Sequence, residues 1–339
     1  MERILVTGGG GFIGSHLARY LYSQGYFVRV ADVKFDDYID GIYCSEKLQL
    51  DLRKLENCLV ATEGIDKVYN LAANMGGIGF ITSVFADVMH DNVLINTYML
   101  EASARNKVKR FLFSSSACVY PNYKQTKPDV AGLKEEDAYP ADPNEAYGWE
   151  KLYTEEMVKA YQKDYGLDVR IARYHNIYGP EGTYKDGREK APAALCRKVV
   201  GASDSDTIPI WGDGKATRSF CYVDDCVKGT VALMESDYDE PLNIGSDRLI
   251  SIDGLSDIIA KISGKKITKT YDLSAPEGVK GRNADLTLVT KVLGWEPQIS
   301  LEEGLARTYR WIKMMVEKDR EEEKAGTLRV ENKGEDGCP

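Results

Sequence analysis

The chain has 339 residues and a formal net charge of -9, with 43% hydrophobic and 29% charged residues. This length allows one large α/β domain with a smaller partner, and the composition is ordinary for a globular protein with a sizeable core. The acidic balance, without a long basic run, argues against nucleic acid or an anionic membrane as the main partner.

Strands and helices alternate through the first half of the chain. Apolar runs of strand length are predicted at Arg3–Thr7, 26–31, 67–71, 110–114 and 169–172. Helical patterns are predicted at 15–24, 87–105 and 146–165. This alternation is typical of an α/β protein with a Rossmann-type, doubly wound parallel sheet.

The second half of the chain has a different pattern. After Tyr178 the sequence is irregular, and a further strand and helix are predicted over 219–234, which would return the chain to the first domain. We therefore predict a Rossmann domain at 1–177 plus about 218–245, and a smaller mixed α/β C-terminal domain at 178–217 plus about 246–317. Residues 318–339 are dense in charge and poor in apolar side chains, which predicts a disordered tail.

A glycine cluster follows the first predicted strand and fits both the GxGxxG and the GxxGxxG dinucleotide patterns. Glycines permit a sharp turn and a close approach of the backbone to a pyrophosphate, which the N-terminus of the next helix would also attract. The predicted cofactor-binding residues of this turn are Gly8, Gly11, Phe12, Ile13 and Gly14.

Two aspartates extend the predicted cofactor site. Asp32 follows the second predicted strand, and its carboxylate can accept hydrogen bonds from the adenosine ribose while repelling a 2′-phosphate, which favours NAD over NADP. Asp51 is a candidate partner for the adenine amino group, with an ordinary loop or cap aspartate as the alternative.

A tyrosine and a lysine form the predicted redox catalyst. Tyr147 and Lys151 stand at i and i+4, so both project from one face of a helix. An ammonium near a phenol lowers the phenol pKa, and the phenolate can take a proton from a sugar hydroxyl while hydride leaves for NAD. Ser116 can hold the same hydroxyl, although a plain strand-end turn is the alternative for this run of serines.

Together these motifs resemble the extended short-chain dehydrogenase/reductase family over about residues 3–317. The resemblance implies an NAD-binding Rossmann domain, a smaller C-terminal domain for a nucleotide sugar, and a homodimer formed through the helices at 87–105 and 146–165.

Five segments resemble one branch of this family more closely, the epimerases that invert C3 and C5 of a GDP-hexose. They are AANMGGIGF (72–80), SSSACVYP (114–121), HNIYGPEGTYKDGREKAPAA (175–194), WGDGKATRSF (211–220) and PEGVKGRNAD (276–285). Asn74 departs from the usual sequence of this branch, in which the first segment has aspartate at that position.

The implied reaction is a transient NAD-dependent oxidation at C4, proton exchange at C3 and C5, and re-reduction. A C4 ketone acidifies the protons on the neighbouring carbons, and inverting each carbon requires a base on one face and an acid on the other. The resemblance supplies Cys118 and Lys190 for these roles, and leaves open which one removes the proton. A buried structural cysteine and a solvated or phosphate-binding lysine are the alternatives.

The resemblance also implies a GDP-sugar pocket. Its candidate residues are Gly76, Gly77, Ser116, Asn176, Glu189, Lys190, Arg197, Trp211, Arg218 and Arg282. Arginine suits a diphosphate because its planar guanidinium donates paired hydrogen bonds. The tryptophan can stack on a base or simply pack.

Other functions remain open at this level. A nucleotide-sugar 4-epimerase would not need the Cys118/Lys190 pair, and a 4,6-dehydratase would be expected to carry an acidic residue where Ala117 and Cys118 stand. A non-catalytic nucleotide-sensing protein would typically have lost Tyr147 or Lys151.

Cysteine and histidine spacing predicts no metal site and no disulfide framework, because the seven cysteines include no CxxC pair and the three histidines are far apart. Met1 leads almost directly into the first predicted strand, and no apolar run reaches transmembrane length. We therefore expect a cytoplasmic enzyme without a membrane partner.

Overall fold

The computed structural model describes residues 1–35, 39, 41 and 43–335, with side chains as far as residue 324. The strands are β1 (Arg3–Thr7), β2 (Phe27–Asp32), β3 (Glu46–Gln49), β4 (Lys67–Asn70), β5 (Arg110–Ser116), β6 (Asp168–Tyr174), β7 (Ile177–Tyr178), β8 (Thr207–Trp211), β9 (Thr217–Ser219), β10 (Cys221–Tyr222), β11 (Pro241–Ile244), β12 (Leu249–Ser251), β13 (Thr268–Asp272) and β14 (Gly281–Arg282). The helices are α1 (Phe12–Ser23), α2 (Leu55–Thr62), α3 (Ile78–Ile81), α4 (Ala86–Arg105), α5 (Glu145–Tyr165), α6 (Ala191–Gly201), α7 (Val223–Glu235), α8 (Ile252–Ser263), α9 (Thr287–Leu293) and α10 (Leu301–Glu335).

A parallel sheet of seven strands forms the centre of the first domain, in the order β11-β6-β5-β4-β1-β2-β3. From β1 the chain runs outward to β2 and β3, and then crosses to β4 on the opposite side of β1. Such a reversal of strand order leaves a crevice at the carboxyl ends of the strands, where open α/β sheets bind their ligands. The predicted Rossmann-type fold is confirmed.

Both faces of the sheet are covered, as the apolar strands require. In β1, Ile4 and Val6 pack into one core cluster with residues of α1 and α7, whereas Leu5 packs into the other cluster with residues of α2 and α4. This division follows from the two-residue period of a strand, and burial on both faces explains why β1 is apolar at consecutive positions.

The second half of the chain builds smaller sheets beside the large one. These pair β7 with β10, β8 with β13, and β9 with both β12 and β14. The expected return to the first domain occurs through α7, which packs against α1, and through β11, which pairs with β6. The sequence missed the short elements β3 and α2 between β2 and β4.

The predicted disordered tail from Lys318 is wrong through Glu335, because α10 continues as a helix to that residue. The side chains of Ile312 and Met315 are buried on the inner face of this helix, and Asp319 accepts a hydrogen bond from Tyr184. These contacts stabilise the helix and its charge-rich extension, which has few apolar side chains to bury. Residues 336–339 of the predicted tail lie outside the described residues.

Within the described ranges, the helices include none that is long and apolar enough to cross a membrane. The same residues include no group of three potential metal ligands placed to hold an ion. Six cysteines in this part of the chain are free thiols, whereas Cys338 lies outside it.

Candidate active site

A cavity of about 480 Å³ opens at the carboxyl ends of β1, β4 and β5. All the residues predicted to bind the cofactor line it, namely Gly8, Gly11, Phe12, Ile13, Gly14, Asp32, Asp51, Tyr147 and Lys151. The strand ends therefore bring together residues that are up to about 140 positions apart in the sequence.

The glycine turn is packed so tightly that a side chain within it would clash with the backbone. Gly8 has a φ of 68°, and a Cβ on Gly14 would lie 2.1 Å from the carbonyl oxygen of Gly8. Gly11 caps α1, which has no acidic residue in its first turn and no side-chain cap among the described residues. The N–H groups and the positive dipole end of α1 are thus available to a pyrophosphate, so the turn fits NAD.

Both predicted aspartates lie at the wall of this cavity. The Asp32 carboxylate accepts hydrogen bonds from the backbone N–H of Gly10 at 3.0 Å and from that of Lys34 at 3.3 Å. Asp51 accepts from the Arg53 guanidinium at 2.9 Å, and this hydrogen bond lowers the Asp51 pKa. Both side chains can therefore accept hydrogen bonds from an adenosine.

We predict that NAD binds at least about tenfold more tightly than NADP, a difference of about 1.4 kcal/mol, because the Asp32 carboxylate would face a 2′-phosphate. Asp32→Asn should narrow this preference, whereas the matched change Asp51→Asn should weaken both cofactors to a similar extent. Calorimetric titration of the three proteins checks this. Equal affinities of the unaltered protein for the two cofactors would contradict it.

The redox side chains meet at the floor of the cavity. Tyr147 and Lys151 lie on one face of α5 and are 6% and 1% exposed. The Lys151 ammonium donates to the carbonyl oxygen of Ser114 at 3.0 Å and lies 5.5 Å from the centre of the Tyr147 ring. Ser116 lies close enough to the Tyr147 hydroxyl to act on its pKa in the lowering direction. Gly148 lets α5 pack closely against the chain that follows β5, because a Cβ at this position would lie 2.3 Å from the Cys118 carbonyl oxygen.

Burial dominates the electrostatics of this pair. It raises the pKa of Tyr147 well above its usual value, and the nearby Cys118 and Glu150 act in the same direction. Burial also lowers the pKa of Lys151, an effect that the charge of Glu150 partly offsets. The sequence predicts that Lys151 lowers the Tyr147 pKa, whereas in the protein alone the pKa is raised, with loss of hydration as the largest cause.

A second cavity of about 330 Å³ shares a wall with the first. Five predicted site residues line both cavities, namely Gly76, Ser116, Tyr147, Asn176 and Lys190. The second cavity also includes the remaining predicted substrate residues, Gly77, Cys118, Glu189, Arg197, Trp211, Arg218 and Arg282. The structure therefore places the two predicted half-sites side by side.

Cys118 and Lys190 approach this shared wall from different parts of the fold. Cys118 follows β5 and is 8% exposed, and its sulfur accepts from the Arg282 guanidinium at 3.4 Å. Lys190 is the residue before α6, and burial lowers the pKa of its ammonium, an effect that Cys118 partly offsets. A lowered pKa brings the amine closer to the range in which it can exchange a proton.

Two arginines, Arg282 buried and Arg218 partly buried, give the second cavity a positive wall. Arg282 donates to the side-chain oxygen of Gln125 at 2.6 Å, and Arg218 donates to the Thr217 carbonyl at 2.7 Å. Burial, together with the charge of Arg282, lowers the pKa of Arg218 to about 10. Within the described ranges neither arginine forms a salt bridge, so their charge is available to an anionic ligand.

The other predicted substrate residues have different surroundings. Glu189 is paired with Arg197 at 2.8 Å. Asn176 has a φ of 41° and donates from its side chain to the Ser219 carbonyl. Trp211 is 45% exposed and lines the cavity, and the Lys198 ammonium lies over its ring at 5.9 Å from the centre.

Asn74 lines the first cavity but not the second. Its backbone N–H donates to Asn92 at 2.6 Å, and its side chain donates to Asp91 at 3.1 Å. The departure from the branch's usual aspartate therefore lies in the wall of the first cavity, which also holds the predicted cofactor residues.

Sequence reasoning missed several charged residues that line the two cavities, including Arg188, Lys198 and Glu277. Arg188 lines the first cavity, and Lys198 and Glu277 line the second. The helical period could have found Lys198, because Lys190, Ala194 and Lys198 are spaced by four residues and all line the second cavity. The other two lie in loops and follow no such period.

Comparison with known proteins shows the family to which this chain belongs. Residues 4–245 match the family described as the NAD dependent epimerase/dehydratase family, and the chain belongs to this family. Its members include NAD-dependent enzymes, so the predicted enzyme class and NAD cofactor are confirmed.

Among curated proteins, the chain is similar to GDP-mannose 3,5-epimerase 1 of Oryza sativa subsp. japonica, with 49% identity over 94% of this chain and 83% of the relative. It is 48% identical to GDP-mannose 3,5-epimerase of Arabidopsis thaliana, over 94% of this chain and 84% of the relative. Among solved structures, the UDP-glucose 4-epimerase of Thermotoga maritima with UDP-glucose has a TM-score of 0.84 at 28% identity, covering 93% of this chain and 99% of that one.

Proposed function

We propose that this protein is a GDP-mannose 3,5-epimerase, which forms GDP-L-galactose by inversion at C3 and C5 and GDP-L-gulose by inversion at C5 alone. The observation that carries the proposal is the shared wall of the two cavities, where Tyr147 and Ser116 lie beside Lys190, with Cys118 in the adjoining pocket. A redox catalyst and a proton-exchange pair can thus reach the same sugar ring. The relatives that are about half identical to this chain support the choice of substrate.

The first half of the reaction is assigned to α5 and the end of β5. Tyr147 takes the proton of the C4 hydroxyl, which Ser116 orients through its own hydroxyl. When bound, NAD accepts a hydride from C4 and returns it at the end of the cycle. The Lys151 ammonium, 5.5 Å from the centre of the Tyr147 ring, and the positive charge of a bound oxidised nicotinamide would both favour the phenolate against the effect of burial.

The second half is assigned to Cys118 and Lys190. Once C4 is a ketone, the protons on C3 and C5 become acidic, and each inversion needs a proton removed from one face and another added on the opposite face. The thiol and the amine supply these two positions, and either can serve as the base. The Arg282 guanidinium donates to the Cys118 sulfur at 3.4 Å and so holds the thiol in the wall of the second cavity.

The GDP group is assigned to the rest of the second cavity. Arg218 and Arg282 bind the diphosphate, with Lys198 as a further cation, and the half-exposed Trp211 stacks on the base. Accordingly, residues 1–177 plus about 218–245 form the NAD domain, and 178–217 plus about 246–317 form the nucleotide-sugar domain.

Incubation with GDP-mannose, followed by chromatography of the products, tests the proposal. Formation of GDP-L-galactose is expected. UDP-glucose serves as the control substrate, because a 4-epimerase would convert it to UDP-galactose. Conversion of UDP-glucose without any conversion of GDP-mannose would contradict the assigned substrate, and loss of water from GDP-mannose would indicate a dehydratase.

We also propose that the protein is a homodimer in which α4 and α5 form the contact. Trp149 and Tyr153 of α5 are 48% and 57% exposed, and Met89 of α4 and the adjacent Phe85 are 38% and 46% exposed. Large apolar side chains grouped on one surface are typical of a protein–protein contact.

Light scattering at micromolar concentration should give twice the mass of the chain. The double change Trp149→Glu with Tyr153→Glu should give the monomer mass, whereas Tyr22→Glu, an exposed tyrosine of α1, should leave the dimer intact. A monomer mass for the unaltered protein would contradict the prediction.

The cytoplasm is the proposed location, which the free thiols of the described residues support.

A further inference from the structure

The loop 179–190 connects β7 to α6 and ends at Lys190. Five of its residues line the first cavity, namely Gly179, Gly182, Thr183, Arg188 and Lys190. The path of this loop therefore decides where the Lys190 amine lies relative to a bound sugar. Neither Tyr147 nor Ser116 belongs to it, since they are carried by α5 and β5.

The last helix, α10, binds the middle of this loop through one carboxylate. Asp319 accepts from the Tyr184 hydroxyl at 2.7 Å, and the Lys185 ammonium lies 2.9 Å from each of its two oxygens. The Tyr184 ring is 1% exposed and meets the edge of Trp311 at a centroid distance of 5.4 Å. Two residues of α10 therefore bind two consecutive residues of the loop.

The carboxylate of Asp319 is held in its charged form. Partial burial acts to raise its pKa, but the hydrogen bonds from Tyr184 and Lys185 lower it below the usual value. A charged acceptor forms stronger hydrogen bonds than a neutral one, so the charge contributes to holding the loop.

Lys185, which binds Asp319, precedes Lys190 in the sequence by only a few residues. Between Lys185 and Lys190 the loop turns through Asp186 and Gly187, whose φ values are 72° and 78°. Beyond the turn, α6 begins directly after Lys190 and packs against α10. The helix α10 thus contacts the chain on both sides of the turn that leads to Lys190.

We propose that Asp319 is a positioning residue which, through Tyr184 and Lys185, sets the loop so that the Lys190 amine faces the sugar. The inference rests on the proposed function, because it assigns Lys190 to proton exchange. It implies that weakening this contact affects exchange at C3 and C5 more strongly than oxidation at C4.

The test compares Asp319→Asn and Tyr184→Phe with Glu302→Gln. The control removes a charge from the same helix, where Glu302 pairs with Arg248, a residue that does not belong to the loop. With GDP-mannose in deuterated water, deuterium uptake at C3 and C5 should fall about ten- to a hundredfold in the two test variants, as displacement of a catalytic group predicts. NADH formation in a single turnover should stay within about twofold, as it should for the control.

Amide hydrogen exchange of 179–190 provides a readout that does not depend on the substrate. Exchange there should rise about fivefold or more in Asp319→Asn, and should remain unchanged in Glu302→Gln. If the unaltered protein takes up no deuterium into GDP-mannose, the proposed function fails, and amide exchange alone then decides whether Asp319 holds the loop. Unchanged amide exchange in Asp319→Asn would overturn the inference, as would an equal loss of NADH formation and deuterium uptake.

Discussion

Tyr147→Phe is expected to stop both oxidation at C4 and proton exchange at C3 and C5. The change keeps the buried ring but removes the hydroxyl that is assigned to take the C4 proton. Without a C4 ketone, the protons on C3 and C5 stay non-acidic, so one substitution should disable both halves of the reaction. Loss of a positioned acid or base costs on the order of a hundred- to ten-thousandfold in rate.

The measurement is single-turnover absorbance of NADH beside deuterium uptake into the sugar. Tyr153→Phe is the matched control, because Tyr153 lies on the same helix but is 57% exposed. It should leave both rates unchanged. Deuterium uptake by Tyr147→Phe at nearly the original rate would show that the phenol does not start the reaction.

Cys118→Ala and Lys190→Ala should separate the two halves of the reaction. Each change removes one candidate for proton exchange, while Tyr147, Lys151 and Ser116 keep their contacts. NADH should still form, whereas inversion should fall on the order of a hundred- to ten-thousandfold. The 4-keto sugar should then accumulate or return to the starting sugar.

A second change at each position distinguishes catalysis from structure. Lys190→Arg keeps the positive charge but cannot release a proton near neutral pH, so it should remain inactive in inversion if Lys190 exchanges protons. Recovery of inversion with arginine would indicate a phosphate contact instead. Cys58→Ser is the control for loss of a thiol, since Cys58 is buried in α2 and bonded to the Leu52 carbonyl. Inversion at nearly the original rate in Cys118→Ala would make this cysteine structural.

The cofactor-binding residues could be predicted because their sequence patterns lie within single strands, turns or helices. The glycine turn and the pair Tyr147/Lys151 are defined by spacings within single elements, and the strand pattern placed Asp32 at a strand end. Cys118, Lys190 and Arg282 are far apart in the sequence, so no spacing joins them. Resemblance supplied these residues, and the fold brings their side chains to one cavity.

Burial and long-range contacts account for what the sequence did not predict. The pKa of Tyr147 depends on the exclusion of water from the cavity floor, which is not visible in a helical spacing. Likewise, Asp319 stands in a charge-rich segment that composition classed as a disordered tail. Its partners, Tyr184 and Lys185, are more than a hundred residues earlier in the chain.

The position of solvent deuterium in the product tests the proposed function most directly. The unaltered protein, incubated with GDP-mannose in deuterated water, should yield GDP-L-galactose that carries deuterium at C3 and C5. Its C4 hydrogen should come from the substrate, because the hydride removed from C4 is returned to the same carbon. Turnover without deuterium at C3 or C5 would contradict the assignment of Cys118 and Lys190 to proton exchange, and with it the proposed 3,5-epimerase.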